Sequence, residues 1–305
     1  MTTVDLFCGC GGLSLGFENA GFHVAAAFDK WEAALDVYRA NFGHPAIKID
    51  LADRQASVEA VGKFCPDIII GDPPCQDFSS AGKRNEDGGR GDLTLSYANI
   101  VGDIRPKWFV MENVATITKT RKLSEARGIF HKAGYGLTQA TLNSALCGVP
   151  QRRKRFILIG HLCEKDGFMD TTLENLLSSK ETTLRDYFGN SLKLQYYYRH
   201  PRSYARRGVF SIDEPSPTIR GVNRPIPNGY KLHANDPVDS LEGLRPLTTK
   251  ERSMVQTFPA DFKFKGSKSD VEQMIGNAVP VKLGEFVAKA IVGHIGLKKN
   301  KSNTH

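Results

Sequence analysis

The sequence predicts an α/β fold: a mostly parallel sheet covered by helices, followed by a smaller loop-rich β region. Three observations support this. Short apolar runs alternate with stretches of helical spacing through the first half of the chain, which is how a parallel sheet covered on both faces is written. The apolar runs end, one after another, in glycines, acids or a Pro-Pro-Cys turn. Beyond about residue 188 the alternation stops, and segments such as "KLQYYYRHPRSYARRGVF" are rich in Pro, Gly, Arg and Tyr. These read as short strands and loops.

The elements follow in order. "TTVDLF" (2–7) is a strand that runs into the Gly-rich "CGCGG", and "LSLGFENAG" (13–21) is a helix stopped by glycine. "FHVAAAFD" (22–29) is a strand, "KWEAALDVYRANF" (30–42) a helix, and "AIKIDL" (46–51) a strand. "SVEAVGKF" is a short helix and "PDIIIG" (66–71) a buried strand. "SYANIVGDI" is a helix, "KWFVMENV" (107–114) a strand and "KLSEARGIFHKAG" a helix. "GLTQATLN" and "RRKRFILIGH" close the series as strands. Helix returns late, in "TTKERSMVQTF" and "KLGEFVAKAIVGHI", and the tail "LKKNKSNTH" reads as disordered.

The 305 residues suffice for one large domain, or a large one plus a small one. Hydrophobic residues at 40% and charged ones at 24% are those of a globular protein. No apolar run has transmembrane length, and the N-terminus lacks a signal-peptide pattern. The expectation is a cytoplasmic protein, with its six cysteines mostly free thiols. A net charge of +8 is compatible with a polyanionic partner, and equally with plain basic solubility.

In open α/β sheets ligands bind at the carboxyl ends of the strands. Here those ends carry Gly9 to Gly12, Asp29, Asp50, Cys75 and Glu112, which points to one active site. The glycine turn lets backbone approach a ligand. Asp29 can accept from both hydroxyls of a ribose, and Asp50 from an adenine amino group. Together they describe an adenosine-containing cofactor, and no P-loop lysine follows the glycines to favour a triphosphate. Pro73 and Pro74 stiffen the backbone before Cys75. A thiol beside an acid suits attack on an electron-poor ring, with Glu112 protonating a ring nitrogen. Arg153 and Arg155 alternate so as to share one face of a strand, where one of them can hold an oxyanion or carbonyl oxygen. Cys8-x-Cys10 has no second ligand pair nearby, so no metal is expected.

These motifs, in order, resemble the bacterial-type DNA (cytosine-5)-methyltransferases of restriction-modification systems. "DLFCGCGGLSLGF" resembles the first cofactor motif, "GDPPCQDFSSAGK" the catalytic Pro-Cys-Gln loop, and "RGDLTLSY" the motif after it. "MENV", "GVPQRRKRF", "RPLTTKERSMVQTFP" and "QMIGNAVPVKLGE" resemble the rest, and nearly the whole chain is covered. Three positions depart from the usual pattern: cysteines at 8 and 10, Lys30 where an apolar residue often meets the adenine, and Val281 in place of a second proline.

The resemblance implies a Rossmann-like class I fold binding S-adenosyl-L-methionine. It implies a catalytic domain of residues 1–188 plus 272–305, and a target-recognition domain of 189–271. Catalysis would fall to Cys75, Glu112, Arg153 and Arg155. Cofactor contacts would fall to Phe7, Gly9, Cys10, Gly12, Asp29, Lys30, Asp50, Leu51, Pro74, Leu93, Asn277 and Val279. DNA contacts would fall to Gln76, Ser79, Arg90, Thr218, Arg220 and Arg224. Cys75 would attack C6 of a cytosine flipped out of the duplex, Glu112 would donate to N3, and Arg155 would hold O2. The partner implied is double-stranded DNA, bound by a monomer in the bacterial cytoplasm with no obligate protein partner; whether a cognate restriction endonuclease acts on the same site is left open by the sequence. Residues 206–230 resemble recognition segments for GGNCC or GGWCC sites. The rival reading on the same fold is a transfer-RNA cytosine-5 methyltransferase. An NAD-dependent oxidoreductase would leave Cys75, Glu112 and the paired arginines unexplained, and an inactive DNA-binding protein would not need them.

Overall fold

The structure, a computed structural model, describes residues 1–74, 92–203 and 205–302. Its strands are β1 (Thr2–Leu6), β2 (His23–Asp29), β3 (Ala46–Lys48), β4 (Ile68–Gly71), β5 (Trp108–Val114), β6 (Tyr135–Asn143), β7 (Gln151–Arg152), β8 (Lys154–Leu162), β9 (Tyr196–Tyr198), β10 (Val209–Ser211) and β11 (Ser216–Pro217). Its helices are α1 (Gly12–Asn19), α2 (Glu32–Arg39), α3 (Arg54–Gly62), α4 (Asp92–Ile104), α5 (Arg121–Lys132), α6 (Asp170–Leu176), α7 (Leu184–Phe188), α8 (Thr249–Val255), α9 (Lys268–Asn277) and α10 (Val281–Ser302).

Seven strands form one sheet in the order β3-β2-β1-β4-β5-β8-β6. All neighbours from β3 to β5 pair in parallel, whereas β8 runs antiparallel to both β5 and β6. The expected mostly parallel α/β sheet is therefore present. The last two strands enter it out of sequence order, because β8 inserts between β5 and β6.

Alternate side chains along a strand face opposite ways, and the two faces bury separate cores. Val4, Leu6, Ile69, Phe109, Met111 and Leu158 point to one side, under α4 and α5 residues such as Tyr97, Val101 and Phe130. Ile68, Ile70, Trp108, Val110 and Ile159 point to the other, against Leu13 and Phe17 of α1 and Leu283, Val287 and Ile291 of α10. Each large side chain so buried stabilises the fold by about 1.5–3 kcal/mol. Gly16 lets α1 lie directly on α10: a Cβ there would fall 2.5 Å from the Val281 carbonyl oxygen.

A third core gathers Tyr197, Phe210, Ile212, Ile219 and Leu247 from the loop-rich region. It also takes Leu184 and Phe188 from before residue 189, and Ile275 from after 271. The strands there are only two or three residues long.

Several boundaries differ from the sequence-based expectation. β3 stops at Lys48, so Asp50 lies two residues past the strand. α3 starts at Arg54, because Asp53 caps it by accepting from Ala56 N at 3.0 Å. Helices α6, α7 and α9 were not expected. The tail expected to be disordered continues α10 as helix through Ser302; it contains no proline to stop it, and lysine is a good helix former.

Candidate active site

Adjacent strands β3, β2, β1, β4 and β5 bring their carboxyl ends together, and the predicted cofactor residues with them. After β1 the chain turns sharply, with positive φ at Phe7 (59°), Gly9 (51°) and Gly11 (95°). A Cβ at Gly9 would meet nothing within 4 Å, so that side of the turn is open to a ligand. A Cβ at Gly12 would fall 2.2 Å from the Val279 carbonyl oxygen, so glycine is required for that contact. Asp29 secures the turn: its Oδ2 accepts from Gly9 N at 2.8 Å and its Oδ1 from Trp31 N at 2.9 Å. Each carboxylate oxygen keeps a second lone pair.

The other predicted cofactor residues are spread around this turn. Asp50 is exposed, accepts from Ala52 N at 3.1 Å, and lies 3.6 Å from the Lys30 ammonium. Cys10, Leu51, Leu93 and Val279 are buried. The Cys10 thiol points to the Met274 carbonyl at 3.9 Å, so it serves packing against α9. Asn277 is exposed, with its side chain held by Gln273 at 2.9 Å. Trp31, half-buried against the Phe258 cluster, directly follows Lys30.

Beneath the turn Asp5 is fully buried, with Ser14 Oγ donating to its Oδ2 at 2.6 Å. Burial pushes the Asp5 carboxyl up to about 7. Tyr38 donates to Ser14 Oγ at 2.6 Å and its hydroxyl lies 2.7 Å from His44 Nε2, which carries the chain of contacts toward the surface.

Glu112 sits inside β5, 5% exposed. Antiparallel pairing sets Arg155 of β8 opposite Val114, diagonal to Glu112 on one face. The Arg155 Nε lies 2.8 Å from Glu112 Oε1 as an ion pair. Burial raises the Glu112 carboxyl above its ordinary range, and the attraction of Arg155 and Arg153 only partly offsets this. A carboxyl whose surroundings favour its neutral form is suited to holding and giving a proton. Asp72 carries the same signature, raised by burial and by the charge of Glu112.

Asp72, Pro73 and Pro74 lead from β4 toward Cys75. Asn113, buried beside Glu112, donates to the Pro73 carbonyl at 3.1 Å and ties the start of this loop to β5. Cys75, Gln76, Ser79 and Arg90 lie outside the described residues.

Arg153 does not share the strand face with Arg155 as expected. It falls in the break between β7 and β8, where its guanidinium donates to the carbonyls of Ile219, Gly276 and Asn277. The spacing of two fits a continuous strand, but at that residue the chain passes from the β7–β11 pair to the seven-stranded sheet.

The predicted DNA-facing residues divide. Thr218 Oγ1 donates to the Arg152 carbonyl at 2.9 Å, and Arg220 donates to the His200 carbonyl. Arg224 is exposed. A cleft of about 500 Å³ beside them is lined by Arg152, Arg199, Arg202, Arg206, Arg207 and Arg220, with Glu214 among its walls.

Sequence reasoning passed over Asn113, Asp72, Gln151 and Gln256. The first two sit inside quoted motifs, directly beside Glu112 and Pro73, so adjacency was the available signal. Gln151 and Gln256 meet across 105 positions, at 2.6 Å, which nothing local in the sequence announces.

Residues 1–293 match the family model of C-5 cytosine-specific DNA methylases. The chain belongs to that family. The methylase is 60% identical over 293 residues to the Type II methyltransferase M.HindV of Haemophilus influenzae, covering 96% of each chain. It is 52% identical over 295 residues to the Type II methyltransferase M.HgiDI of Herpetosiphon aurantiacus, covering 97% of this chain and 95% of that one. Among solved structures it resembles the S. pombe Dnmt2 methyltransferase, with a TM-score of 0.70 at 17% identity, over 96% of this chain and 98% of that one. It also resembles a putative prophage-encoded DNA modification methyltransferase from E. coli, with a TM-score of 0.70 at 20% identity, over 97% and 99%. The methylase is thus a DNA cytosine-5-methyltransferase of restriction-modification type, with the α/β fold of class I methyltransferases. No helix among the described residues is long and apolar enough to cross a membrane.

Proposed function

We propose that this methyltransferase uses S-adenosyl-L-methionine to methylate C5 of a cytosine flipped out of a specific duplex site, through a covalent bond from Cys75. The observation that carries the reading is the buried Glu112, paired with Arg155 and linked through Asn113 to the loop that leads into Cys75.

The residues around the glycine turn fit the cofactor. Gly9 leaves the turn open, Asp29 retains lone pairs for a ribose, and the exposed Asp50 offers an acceptor for an amino group. Bound there, S-adenosyl-L-methionine supplies an electrophilic methyl group. The remaining chemistry belongs to side chains. Glu112 protonates N3 and Arg155 steadies O2, so negative charge does not build on the ring when the Cys75 thiolate adds to C6. C5 then becomes nucleophilic, and after its methylation solvent accepts the C5 proton as the thiolate leaves and N3 returns its proton to Glu112. The thiolate is the attacking species, so the step needs the Cys75 anion.

We assign target recognition to residues 189–271, supported by the arginine-lined cleft there. The remainder of the chain is assigned to catalysis.

A duplex carrying 5-fluorocytosine tests the central step. Fluorine cannot leave as the C5 proton does, so a denaturation-resistant protein–DNA adduct is expected with the wild type and none with Cys75→Ser. No adduct in the wild type overturns the covalent mechanism. Methyl transfer from tritiated cofactor to duplex DNA and not to transfer RNA is expected; the reverse establishes the RNA reading. Mapping the modified cytosines shows whether the sites carry the GGNCC or GGWCC pattern that 206–230 resembles, and whether a cognate endonuclease should be sought for them.

A further inference from the structure

The segment 275–281 lies between two surfaces that the proposed function gives to different ligands. On one side the Val279 carbonyl rests against Gly12 of the cofactor turn. On the other, Gly276 meets the recognition segment so closely that a Cβ would fall 2.2 Å from Gly221 N and 2.4 Å from the Arg220 carbonyl carbon.

One buried side chain grips both flanks. Arg153, 2% exposed, donates from Nη1 to Ile219 O at 3.2 Å and to Gly276 O at 3.1 Å, and from Nη2 to Asn277 O at 3.3 Å. Two glutamines extend the grip. Gln151 accepts from Ile219 N at 2.7 Å and donates to Gln256 Oε1 at 2.6 Å. Gln256 in turn donates to the carbonyls of Ile275 at 2.6 Å and Ala278 at 3.0 Å.

A buried cation is unfavourable unless it is paired, and Arg153 forms no ion pair with a carboxylate among the described residues. What it contributes is shape. Its rigid fork places several donors at once, which a lysine ammonium cannot reproduce. Its position toward 219 and 276–277 also keeps it away from the diagonal place on β5 that Arg155 fills.

We propose that Arg153 is a positioning residue that fixes the recognition segment and the methyl-donor pocket to each other. Site choice and cofactor affinity then depend on one side chain. This rests on the reading of function given above.

Arg153→Lys keeps the charge and removes the fork. Two constants are measured on the full-length protein: the Kd for S-adenosylhomocysteine by calorimetry, and the preference for the mapped site over one-base variants in a duplex library. Both are expected to worsen together, by roughly fivefold or more, the lower end of typical coupling between sites. A merely structural role would lower Tm and the active fraction and leave both constants at wild-type values; that result overturns the proposal. A change confined to one constant overturns it too. Should Arg153→Lys not fold, Gly221→Ala lifts the recognition segment from α9 by pressing on Gln273. It too should weaken both constants, and wild-type values for either overturn the proposal. A wild type that binds neither S-adenosylhomocysteine nor duplex DNA would instead discredit the reading of function.

Discussion

The strand ends of the sheet and the segment 199–246 are both crowded with charge, yet they hold it in opposite ways. At the strand ends, backbone position is set by sheet hydrogen bonds and by two apolar cores. There the raised pKa values of Asp72 and Glu112 mark a place where burial works against charge. In 199–246 regular structure is scarce, and charged side chains are themselves the framework. Arg199 donates to Thr218 O at 2.8 Å, Arg207 pairs with Glu214, and Asp236 accepts from Gly208 N, Val209 N and His233 N. A charge on a rigid scaffold is available for chemistry. A charge that builds a loop is committed before any ligand arrives.

The largest expected effect sharpens the first half of this contrast. Glu112→Gln preserves shape and removes the proton, so kcat should fall about 10²–10⁴-fold with site preference unchanged. Single-turnover methylation measures it, and a loss of under tenfold would show that Glu112 is structural after all. Because Glu112 titrates above its ordinary range, the wild-type rate should also decline as pH rises through that raised value, and the Gln variant should lack this limb.

Asp29→Ala comes next. It loses a charge-assisted acceptor of roughly 1.5–3 kcal/mol and also frees Gly9 N. Calorimetry should show weakened cofactor binding. Unchanged affinity would remove Asp29 from the cofactor site.

In the other region the contrast predicts a split between neighbours. Arg224→Ala should reduce discrimination between sites by about 1–3 kcal/mol and leave Tm unaltered. Arg220→Ala should lower Tm as well, since the His200 carbonyl loses its donor. Identical behaviour of the two variants in thermal scans and library methylation would break the distinction between framework and reading arginines.

The smallest effect concerns Asp5, whose carboxyl is raised to about 7 by burial, with the charge of Asp29 adding to the shift. An unfolded aspartate titrates near ~3.9. The folded chain thus keeps a proton that the unfolded chain gives up, so this group's contribution to stability declines as pH rises from about 4 to about 7 and is level above that. Asp5→Asn has no such proton. The Tm gap in its favour should widen between pH ~5 and ~8 by calorimetry; a constant gap would mean Asp5 is ionised in the fold.

The sheet was legible because β1 to β5 are written as apolar runs with a break after each. Glu112 and the approach to Cys75 were legible for the same reason: each lies in or at the end of such a run. The insertion of β8 between β5 and β6 was not, since nothing in "RRKRFILIGH" states its partner. Arg153 was misplaced because a spacing of two assumes an unbroken strand, and the break after Arg152 comes from pairing of β7 with distant β11. In 199–246 composition could report many arginines but not which of them bond to the chain's own carbonyls, because those contacts join residues about twenty positions apart.

The contact between Gly276 and Gly221 has a bearing on how such enzymes can exchange specificities. Two backbones meet there without room for a methyl group. On the proposed assignment of recognition to 189–271, a foreign segment grafted there must run its backbone as close to Gly276 as Gly221 does and present a carbonyl where Ile219 has one. Grafts that satisfy both have a seat to fit, whatever base sequence they were built to read.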